Sequence, residues 1–244
     1  MNRTYSLILF LLFIFLAGSS IVSAKKPVKV LIFSKTMGYR HKSITDGIKA
    51  IQKLGAENGF IADTTENAAR FTSENLKNYK AIIFLSSTGE VFDDAQKNAF
   101  QSYIRNGGGF VGIHAATDCL YKWEWFGKMI GAYFTDHPKI QQARLTITDK
   151  KHSATKGLGS PWQHTDEWYN FRFINPNIKV LMTLDESSYT GGKNGAHHPA
   201  SWYHKFEGGR VFYTALGHTS ENFTSDRLFL KHLLGGVKYA AKLR

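Results

Sequence analysis

Histidine side chains stand close to the ends of several predicted strands. The sequence holds 10 histidines, and three of them, His41, His114 and His218, follow short apolar runs that are typical of buried β-strands. Imidazole transfers protons near neutral pH and is also a common metal ligand. Because ligands of open α/β sheets bind beyond the carboxyl ends of the strands, we expect these three histidines to line one site.

The segment "GGGFVGIHAATD", residues 107–118, predicts a strand that ends in a tight turn. Small residues around His114 suit the sharp strand-to-helix turn on which many hydrolases carry a nucleophile. The residue at this turn is a histidine instead of a serine or cysteine, so it predicts proton transfer or ligand binding. The alternative is a buried histidine that only bonds a neighbouring carbonyl oxygen. Asp118, at the end of the segment, is a candidate substrate-binding residue.

A second polar group lies in "WQHTDEWYNF", residues 162–171, where His164 and Glu167 are candidate catalytic residues. Carboxylates beside aromatic rings suit proton transfer at a raised pKa, and they also suit sugar binding by hydrogen bonds and stacking. On a strand His164 and Asp166 would share a face, whereas on a helical turn His164 and Glu167 would do so. The sequence leaves this choice open, together with the alternative of a surface loop over packed aromatic residues.

The other candidate substrate-binding residues are spread along the chain. Ser87 ends the apolar run "AIIFLSS". His198 follows a glycine-rich stretch, which predicts either a lid or a plain hairpin connection. Trp168 and Trp202 are predicted to stack on sugar rings. His41 and His218, with Ser87, are predicted to bind hydroxyl groups or a developing enolate.

The first residues predict export. Residues 1–24 combine an early Arg3, an apolar run from Leu7 to Leu16 and small residues up to Ala24, as in a secretory signal peptide cleaved after Ala24. The alternative is an uncleaved membrane anchor. We therefore expect a periplasmic or secreted protein without stable membrane insertion after cleavage, and a single domain over residues 25–244.

Charge and cysteine content narrow the class of partner. The formal net charge is +12, but the lysines are scattered singly among acidic and aromatic residues. Together with export, this pattern favours a solvated basic surface over a nucleic-acid partner. Cys119 is the only cysteine, which excludes an internal disulfide. We expect a small-molecule or oligosaccharide substrate, and the sequence assigns no oligomeric state.

Alternating strand and helix patterns indicate an α/β fold. Strands are predicted at 28–33, 81–87 and 109–115, with helices starting at Ser43 and at Asp93 or Asp94 between them. This order predicts an open, mostly parallel sheet with helices on both faces. The second half adds strands split by glycine-rich turns and ends in an amphipathic helix, so it is an elaboration of the same domain.

Four ordered motifs resemble the ThuA-like, or trehalose-utilisation, family: "FSKTMGYRH", "GGGFVGIHAATD", "HTDEWY" and "PASWYHKFEGGRVFYTALGH". The resemblance covers essentially all of the mature chain. It implies a flavodoxin-like sheet of the class I glutamine-amidotransferase-like superfamily. His114 stands where that superfamily has its catalytic cysteine, which excludes glutamine hydrolysis through a thioester.

The resemblance implies processing of disaccharides or related glycosides, and the predicted export departs from the cytosolic members of the family. Our leading hypothesis is an exported enzyme that cleaves a glycoside, with 3-keto-glycosides as candidate substrates. A 3-keto group acidifies the neighbouring C2 hydrogen, so a base could remove it while an acid protonates the departing oxygen. The candidate base is His114 or His164, and the candidate acid is Glu167.

Two alternatives come from other functional classes. A noncatalytic sugar-binding module would use the aromatic residues for stacking and the histidines only for hydrogen bonds. A metal-dependent hydrolase would assemble histidine and carboxylate ligands from several strand ends. The helical H-E-x-x-H spacing is absent, so the sequence assigns no metal ligand and predicts no cofactor, with a divalent metal as the alternative.

Overall fold

The computed structural model describes residues 27–243. The predicted signal peptide, residues 1–24, lies outside the described residues. Within residues 27–243, no helix is both long enough and apolar enough to cross a membrane.

Eleven strands and six α-helices make up the described part of the chain. The strands are β1 Val28–Phe33, β2 Phe60–Thr65, β3 Ala81–Leu85, β4 Gly109–Ile113, β5 Tyr133–Asp136, β6 Gln141–Ile147, β7 Trp162–Asp166, β8 Asn170–Arg172, β9 Lys179–Asp185, β10 Pro199–Phe206 and β11 Gly209–Thr214. The helices are α1 Ile44–Asn58, α2 Ser73–Leu76, α3 Asp94–Arg105, α4 Glu124–Ile130, α5 Ser220–Thr224 and α6 Arg227–Ala241.

Nine strands form one mixed sheet in the order β2-β1-β3-β4-β11-β10-β9-β6-β7. The first five strands of this order pair in parallel, and the pairs from β11 to β7 are all antiparallel. Only β10 and β6 therefore run against the others, so the sheet is mostly parallel in strand direction. Strands β5 and β8 form a separate antiparallel pair.

Helices cover both faces of the sheet. Apolar residues of α1, α5 and α6 pack in one core, which includes Ile51, Phe229 and Leu233. Apolar residues of α3 and α4 pack in a second core on the opposite face, which includes Phe100 and Phe126. Because every residue of β3 and β4 is buried, these central strands are apolar along their whole length. The predicted α/β architecture is confirmed.

Element boundaries follow local chemistry in some places and long-range contacts in others. The side chain of Asp93 caps α3 in a capping box with Gln96, as the sequence predicts. Ser43 precedes α1, but its side chain makes no cap and instead donates to the carbonyl oxygen of Gly217. The segment 162–166 is a strand, so His164 and Asp166 share a face.

The turn after β4 has the sharp geometry that its small residues predict. His114 has a φ of 49°, in the left-handed region that side chains rarely adopt, and it begins a short 3-10 helix. A Cβ on Gly112 would lie 2.9 Å from the ring of Tyr213, so glycine is needed just before the turn. The hydroxyl of Tyr213 donates to the carbonyl oxygen of His114 at 2.8 Å and fixes the strained turn.

Candidate functional site

A cavity of about 360 Å³ opens beyond the carboxyl ends of β1, β4 and β11. This volume lies at the small end of the range for ligand cavities. Three tyrosine or phenylalanine rings and five histidine or carboxylate side chains form its wall. The lining residues are Tyr39, His41, Asp118, Phe134, His137, Glu167, Tyr169 and His218.

Three histidines and one carboxylate converge at the floor of this cavity. One ligand-type atom from each of His41, His114, Glu167 and His218 lies within 4.8 Å of the other three. We call these four residues the histidine cluster. His114 Nε2 lies 3.1 Å from His218 Nδ1 and 3.4 Å from Glu167 Oε2. His218 Nδ1 lies 3.1 Å from the same Glu167 oxygen, which closes a triangle of three atoms.

His114 is held by its other ring nitrogen. His114 Nδ1 lies 2.7 Å from the carbonyl oxygen of Ala215. A carbonyl oxygen can only accept a hydrogen bond, so Nδ1 carries a proton and Nε2 is the ring nitrogen that faces the cluster. Histidines that bind metals are oriented by such a bond to a backbone carbonyl or carboxylate. The ring of Tyr169 packs against His114 with centroids 4.2 Å apart.

His41 is a buried histidine in its neutral form. Burial and the neighbouring His114 lower its pKa to about 3. Its Nδ1 has no hydrogen-bond partner among residues 27–243, although the atom is fully buried. A buried polar atom without a partner costs free energy, and at a cluster of polar side chains a bound ligand would explain it. His41 therefore places an unpartnered ring nitrogen beside the other histidines, whose ring centroids are 4.8 and 5.1 Å away.

Glu167 is the single carboxylate of the cluster and is ionised. Burial alone would raise its pKa, but hydrogen bonds and charge from His114 and His218 hold the pKa far below its usual range. Burial likewise opposes protonation of His218, and the hydrogen bond and charge of Glu167 outweigh it and raise the pKa of His218. The predicted role of Glu167 as a catalytic acid is therefore corrected, since a carboxyl that stays ionised has no proton to give.

Asp166 supports the cluster from below. Its fully buried carboxylate accepts hydrogen bonds from the backbone N–H groups of Gly217 and His218 at 2.8 and 3.1 Å. The side-chain amide of Asn222 donates to it at 2.7 Å. These bonds tie the end of β7 to the turn after β11, although β7 is four strands from β11 in the sheet. Asp166 thus fixes the backbone on which His218 stands, beside Glu167 itself.

His164 lies outside the cavity, on the far side of Asp166. Its Nε2 lies 3.3 Å from Asp166, and its Nδ1 lies 3.1 Å from Asp226, which caps α6. Burial disfavours the charged ring, but the two carboxylates outweigh burial and raise its pKa to about 9. The ring is a buried cation with both nitrogens engaged. The predicted role of His164 as a base is corrected, because it neither reaches the cavity nor has a free nitrogen.

Four further candidates are placed in the protein interior, and each has its polar atom paired with a neighbour. Ser87 donates to the carbonyl oxygen of Phe33, and His198 lies between Glu186 and the carbonyl oxygen of Tyr169. The indole N–H groups of the two tryptophans donate to backbone carbonyls, Trp168 to Gln141 and Trp202 to Ile130. Both indoles are fully buried. The predicted contacts of these residues with a sugar are therefore corrected: they form the core under the site.

The aromatic wall of the cavity is different from the one predicted. Tyr39, Phe134 and Tyr169 line it, and the side chain of Tyr39 is 62% exposed. His137, at the rim, has Nδ1 3.1 Å from Glu167 Oε1. The only sequence signals for these residues are their positions: Tyr39 precedes His41 in one predicted loop, and Tyr169 follows Glu167. Nothing in the pattern of β5 indicates that Phe134 would face the cavity.

A comparison of the whole sequence with models of protein families identifies the family of this chain. Residues 29–240 match the sequence model of the ThuA family, which is described as trehalose utilisation. The chain belongs to the ThuA family. The resemblance carried by the four motifs is thereby confirmed. A search of curated proteins finds no match for this ThuA-family chain.

Solved structures place the ThuA-family chain among others of the same fold. It is similar to a ThuA-like protein of Bacteroides uniformis, with 25% identity and a TM-score of 0.74 over 91% of this chain and 95% of that chain. A ThuA-like protein of Parabacteroides merdae is similar at 22% identity and a TM-score of 0.72, over 89% and 91% of the two chains. A β-galactosidase from Bacillus circulans shares the fold alone, with 13% identity, a TM-score of 0.58 and coverage of 89% and 31%.

Proposed function

We propose that this ThuA-family protein is a metal-dependent enzyme that cleaves a glycoside, with one divalent transition-metal ion bound by the histidine cluster. The observation that carries the proposal is the triangle of ligand-type atoms from His114, His218 and Glu167. Its edges are 3.1, 3.1 and 3.4 Å. Ligand atoms about 2.0–2.1 Å from a tetrahedral zinc ion are roughly 3.3–3.4 Å apart, so the triangle matches one face of such a site.

The chemistry of the donors supports the same assignment. Imidazole nitrogens with one carboxylate oxygen suit zinc, iron, cobalt and related divalent ions rather than calcium or magnesium. His41 is neutral and offers a ring nitrogen without a competing proton, His114 directs Nε2 at the cluster, and Glu167 offers a negative charge. A divalent ion bound by His41 through Nδ1 would also give this buried, unpartnered atom a partner.

The cavity above the cluster supports a carbohydrate as substrate. Aromatic side chains of Tyr39, Phe134 and Tyr169 offer apolar faces to a sugar ring, and Asp118 and His137 offer polar groups to its hydroxyls. The family description, trehalose utilisation, supports the same class of compound. A bound metal ion would polarise an oxygen of the substrate or activate a water molecule. The protein's own groups then position the sugar and move protons.

We also propose that the protein acts outside the cytoplasm. The proposal is supported by the signal-peptide pattern of residues 1–24. Cell fractionation with N-terminal sequencing of the recovered protein tests it: a periplasmic or secreted chain beginning at Lys25 is expected, and a cytoplasmic chain that keeps residues 1–24 would contradict it.

The main experiment measures metal content and turnover together. The full mature chain is dialysed with a chelator, reloaded with Zn²⁺, Mn²⁺ or Co²⁺ in turn, and assayed by mass spectrometry on disaccharides and their 3-keto derivatives. We expect one metal ion per chain and product formation that disappears on chelation and returns on reloading. His197→Ala, a change at an exposed histidine outside the cluster, is the matched control and should keep both.

Three other outcomes separate the alternatives. Turnover that survives complete removal of metal would overturn the metal assignment in favour of acid–base catalysis by the histidines alone. Saturable sugar binding without product would favour a noncatalytic binding module. Metal that binds equally well after replacement of Glu167 by Gln would place the ion elsewhere in the chain.

A further inference from the structure

The two most exposed large apolar side chains of residues 27–243 lie in one loop beside the cavity. Met37 and Tyr39 are each 62% exposed, and Tyr39 also lines the cavity. Single exposed apolar side chains need no explanation, whereas a group of them beside a cavity is typical of a ligand-binding surface. The loop therefore extends the apolar surface of the site from the cavity wall to the outside.

The backbone of this loop is held by Thr88, which is fully buried. The N–H of Met37 donates to the carbonyl oxygen of Thr88 at 2.8 Å. The N–H of Gly38 donates to the Thr88 hydroxyl at 3.2 Å, and this hydroxyl donates to the carbonyl oxygen of Tyr39 at 2.9 Å. Because the backbone is already fixed, a ligand that binds to the Tyr39 ring does not have to order the loop.

Aromatic rings contact two different histidines of the cluster, and they differ in exposure. The ring of Tyr39 meets His41 at nearly a right angle, with centroids 4.9 Å apart. The ring of Tyr169 lies 4.2 Å from His114 and 4.2 Å from Phe134. The two histidines contact each other at 4.8 Å. Since Tyr169 is only 2% exposed, the cluster lies between an open ring and an enclosed pair of rings.

From this arrangement we propose that the site has two sugar-binding subsites, one on each side of the histidine cluster. Phe134 and Tyr169 form an inner subsite, which encloses the terminal sugar ring of the substrate. Tyr39 and Met37 form an outer subsite, which binds the next sugar ring. The proposal rests on the proposed function of the cavity and adds to it the kind of glycoside and the order in which its rings bind.

The size of the cavity supports this division. Its volume of about 360 Å³ is at the small end of the range for ligand cavities, so it suits one enclosed ring, with the second ring outside. The outer subsite is open to solvent, so a longer sugar chain can continue beyond it. The bond that joins the two rings would then lie beside the cluster. In hydrolysis, water supplies a hydroxyl group to the enclosed ring and a proton to the oxygen that leaves with the outer ring.

The first test measures binding and does not depend on turnover. The chelator-treated protein is titrated calorimetrically with a panel of disaccharides and with the methyl glycosides of their terminal sugars. Tyr39→Ala should weaken the binding of a disaccharide by about 10-fold, the weight of one aromatic contact. It should leave the binding of the methyl glycoside unchanged, because that ligand has no second ring.

Two further variants separate stacking from other causes of weaker binding. Tyr39→Phe keeps the ring and removes only the hydroxyl, so it should bind both ligands as the wild type does. Phe173→Ala removes an aromatic ring that is 52% exposed and does not line the cavity, and it should also leave both affinities unchanged. Equal losses for both ligands in Tyr39→Ala would place Tyr39 in the inner subsite and overturn the proposal. Failure of every disaccharide to bind to the wild type would overturn it as well.

The second test uses the metal-loaded protein and the disaccharide that the wild type cleaves best. Tyr39→Ala should raise KM by about 10-fold and keep kcat and metal content, because the outer ring contributes binding alone. Unchanged KM would overturn the outer subsite and leave the proposed enzyme intact. Binding that depends on Tyr39, without metal uptake or product, would keep the subsites and reject the proposed enzyme.

Discussion

Two groups of histidines and carboxylates lie on either side of the β7 end, and they have opposite chemical character. In the histidine cluster, three rings surround one carboxylate, Glu167. Behind it, one ring, His164, lies between two carboxylates, Asp166 and Asp226. The residue types are the same, and only the ratio differs.

The ratio of histidine rings to carboxylates decides which ring nitrogens keep a lone pair. One carboxylate can neutralise only one imidazolium, and the pKa of about 3 at His41 shows that this ring of the cluster stays neutral and keeps a lone pair. Two carboxylates around one ring favour its protonation, and the pKa of about 9 at His164 follows. Where histidines outnumber carboxylates, ring nitrogens remain that can bind a ligand. Where carboxylates outnumber histidines, the histidine ring is held as a structural cation.

Removing His164 should have the largest effect on stability. His164→Ala leaves the buried Asp166 without its cationic partner, and breaking a buried ion pair from one side costs about 3–5 kcal/mol. Urea unfolding measures this free energy. His197→Ala, on the exposed loop, should change it by less than about 0.5 kcal/mol. Equal stability of the two variants would show that His164 is not a buried cation.

The same ion pair predicts how stability depends on pH. The folded pKa of His164, about 9, is raised above its ordinary value of 6.5. Its contribution is therefore fully present below about pH 6.5 and is lost as the pH rises through about 9, which amounts to about 3 kcal/mol. Urea unfolding of the wild type minus that of His164→Asn, at several pH values, isolates this change. A difference that grows with pH in this window would refute the assignment.

In the histidine cluster, the change that corresponds to removal of His164 is removal of the charge of Glu167, and its expected effect is on metal binding. Glu167→Gln keeps the shape of the side chain but removes its charge, and we expect metal affinity to fall by about 100-fold, which is about 3 kcal/mol. Isothermal titration with Zn²⁺ measures it. Glu221→Gln, a change at an exposed glutamate of α5, is the matched control and should bind as the wild type does. If Glu167→Gln binds Zn²⁺ as tightly as the wild type, Glu167 is not a metal ligand, and the difference proposed between the two groups would be wrong.

A smaller effect on metal affinity is expected from a change at Asn222, where the two groups meet. Asn222→Ala removes one donor to Asp166, which holds the backbone of His218. Supporting residues of this kind change metal affinity by about 10–100-fold, and we expect the low end because three backbone donors to Asp166 remain. The same Zn²⁺ titration measures it. A loss as large as that of Glu167→Gln would mean that Asp166 belongs to the ligand set.

The elements that the sequence predicted well are those with strong local patterns. The buried strands β3 and β4 are apolar throughout, β1 is apolar except for Lys29, and α3 begins at a capping box. The placement of His41, His114 and His218 beyond strand ends followed from the parallel order of these strands. For these residues, local pattern and sheet topology were enough.

The residues misplaced by the sequence depend on contacts across the antiparallel half. Trp168 and Trp202 were taken for sugar-stacking residues, but both are fully buried. His164 was taken for a base because it lies in one short polar segment with carboxylates and aromatic residues. The strand period of two points His164 and Asp166 the same way, and Asp226, which completes the ion pair, lies 62 residues further along the chain. No local pattern carries that information.

The central claim is that one divalent ion is bound by three imidazoles and one carboxylate. X-ray absorption at the zinc edge, on the protein loaded with one equivalent of Zn²⁺, measures this directly. The account predicts three imidazole ligands and oxygen scattering at about 2.0–2.1 Å from the metal, with imidazole scattering unchanged in His164→Asn. A zinc shell with fewer than three imidazoles, or one that loses an imidazole in His164→Asn, would contradict it.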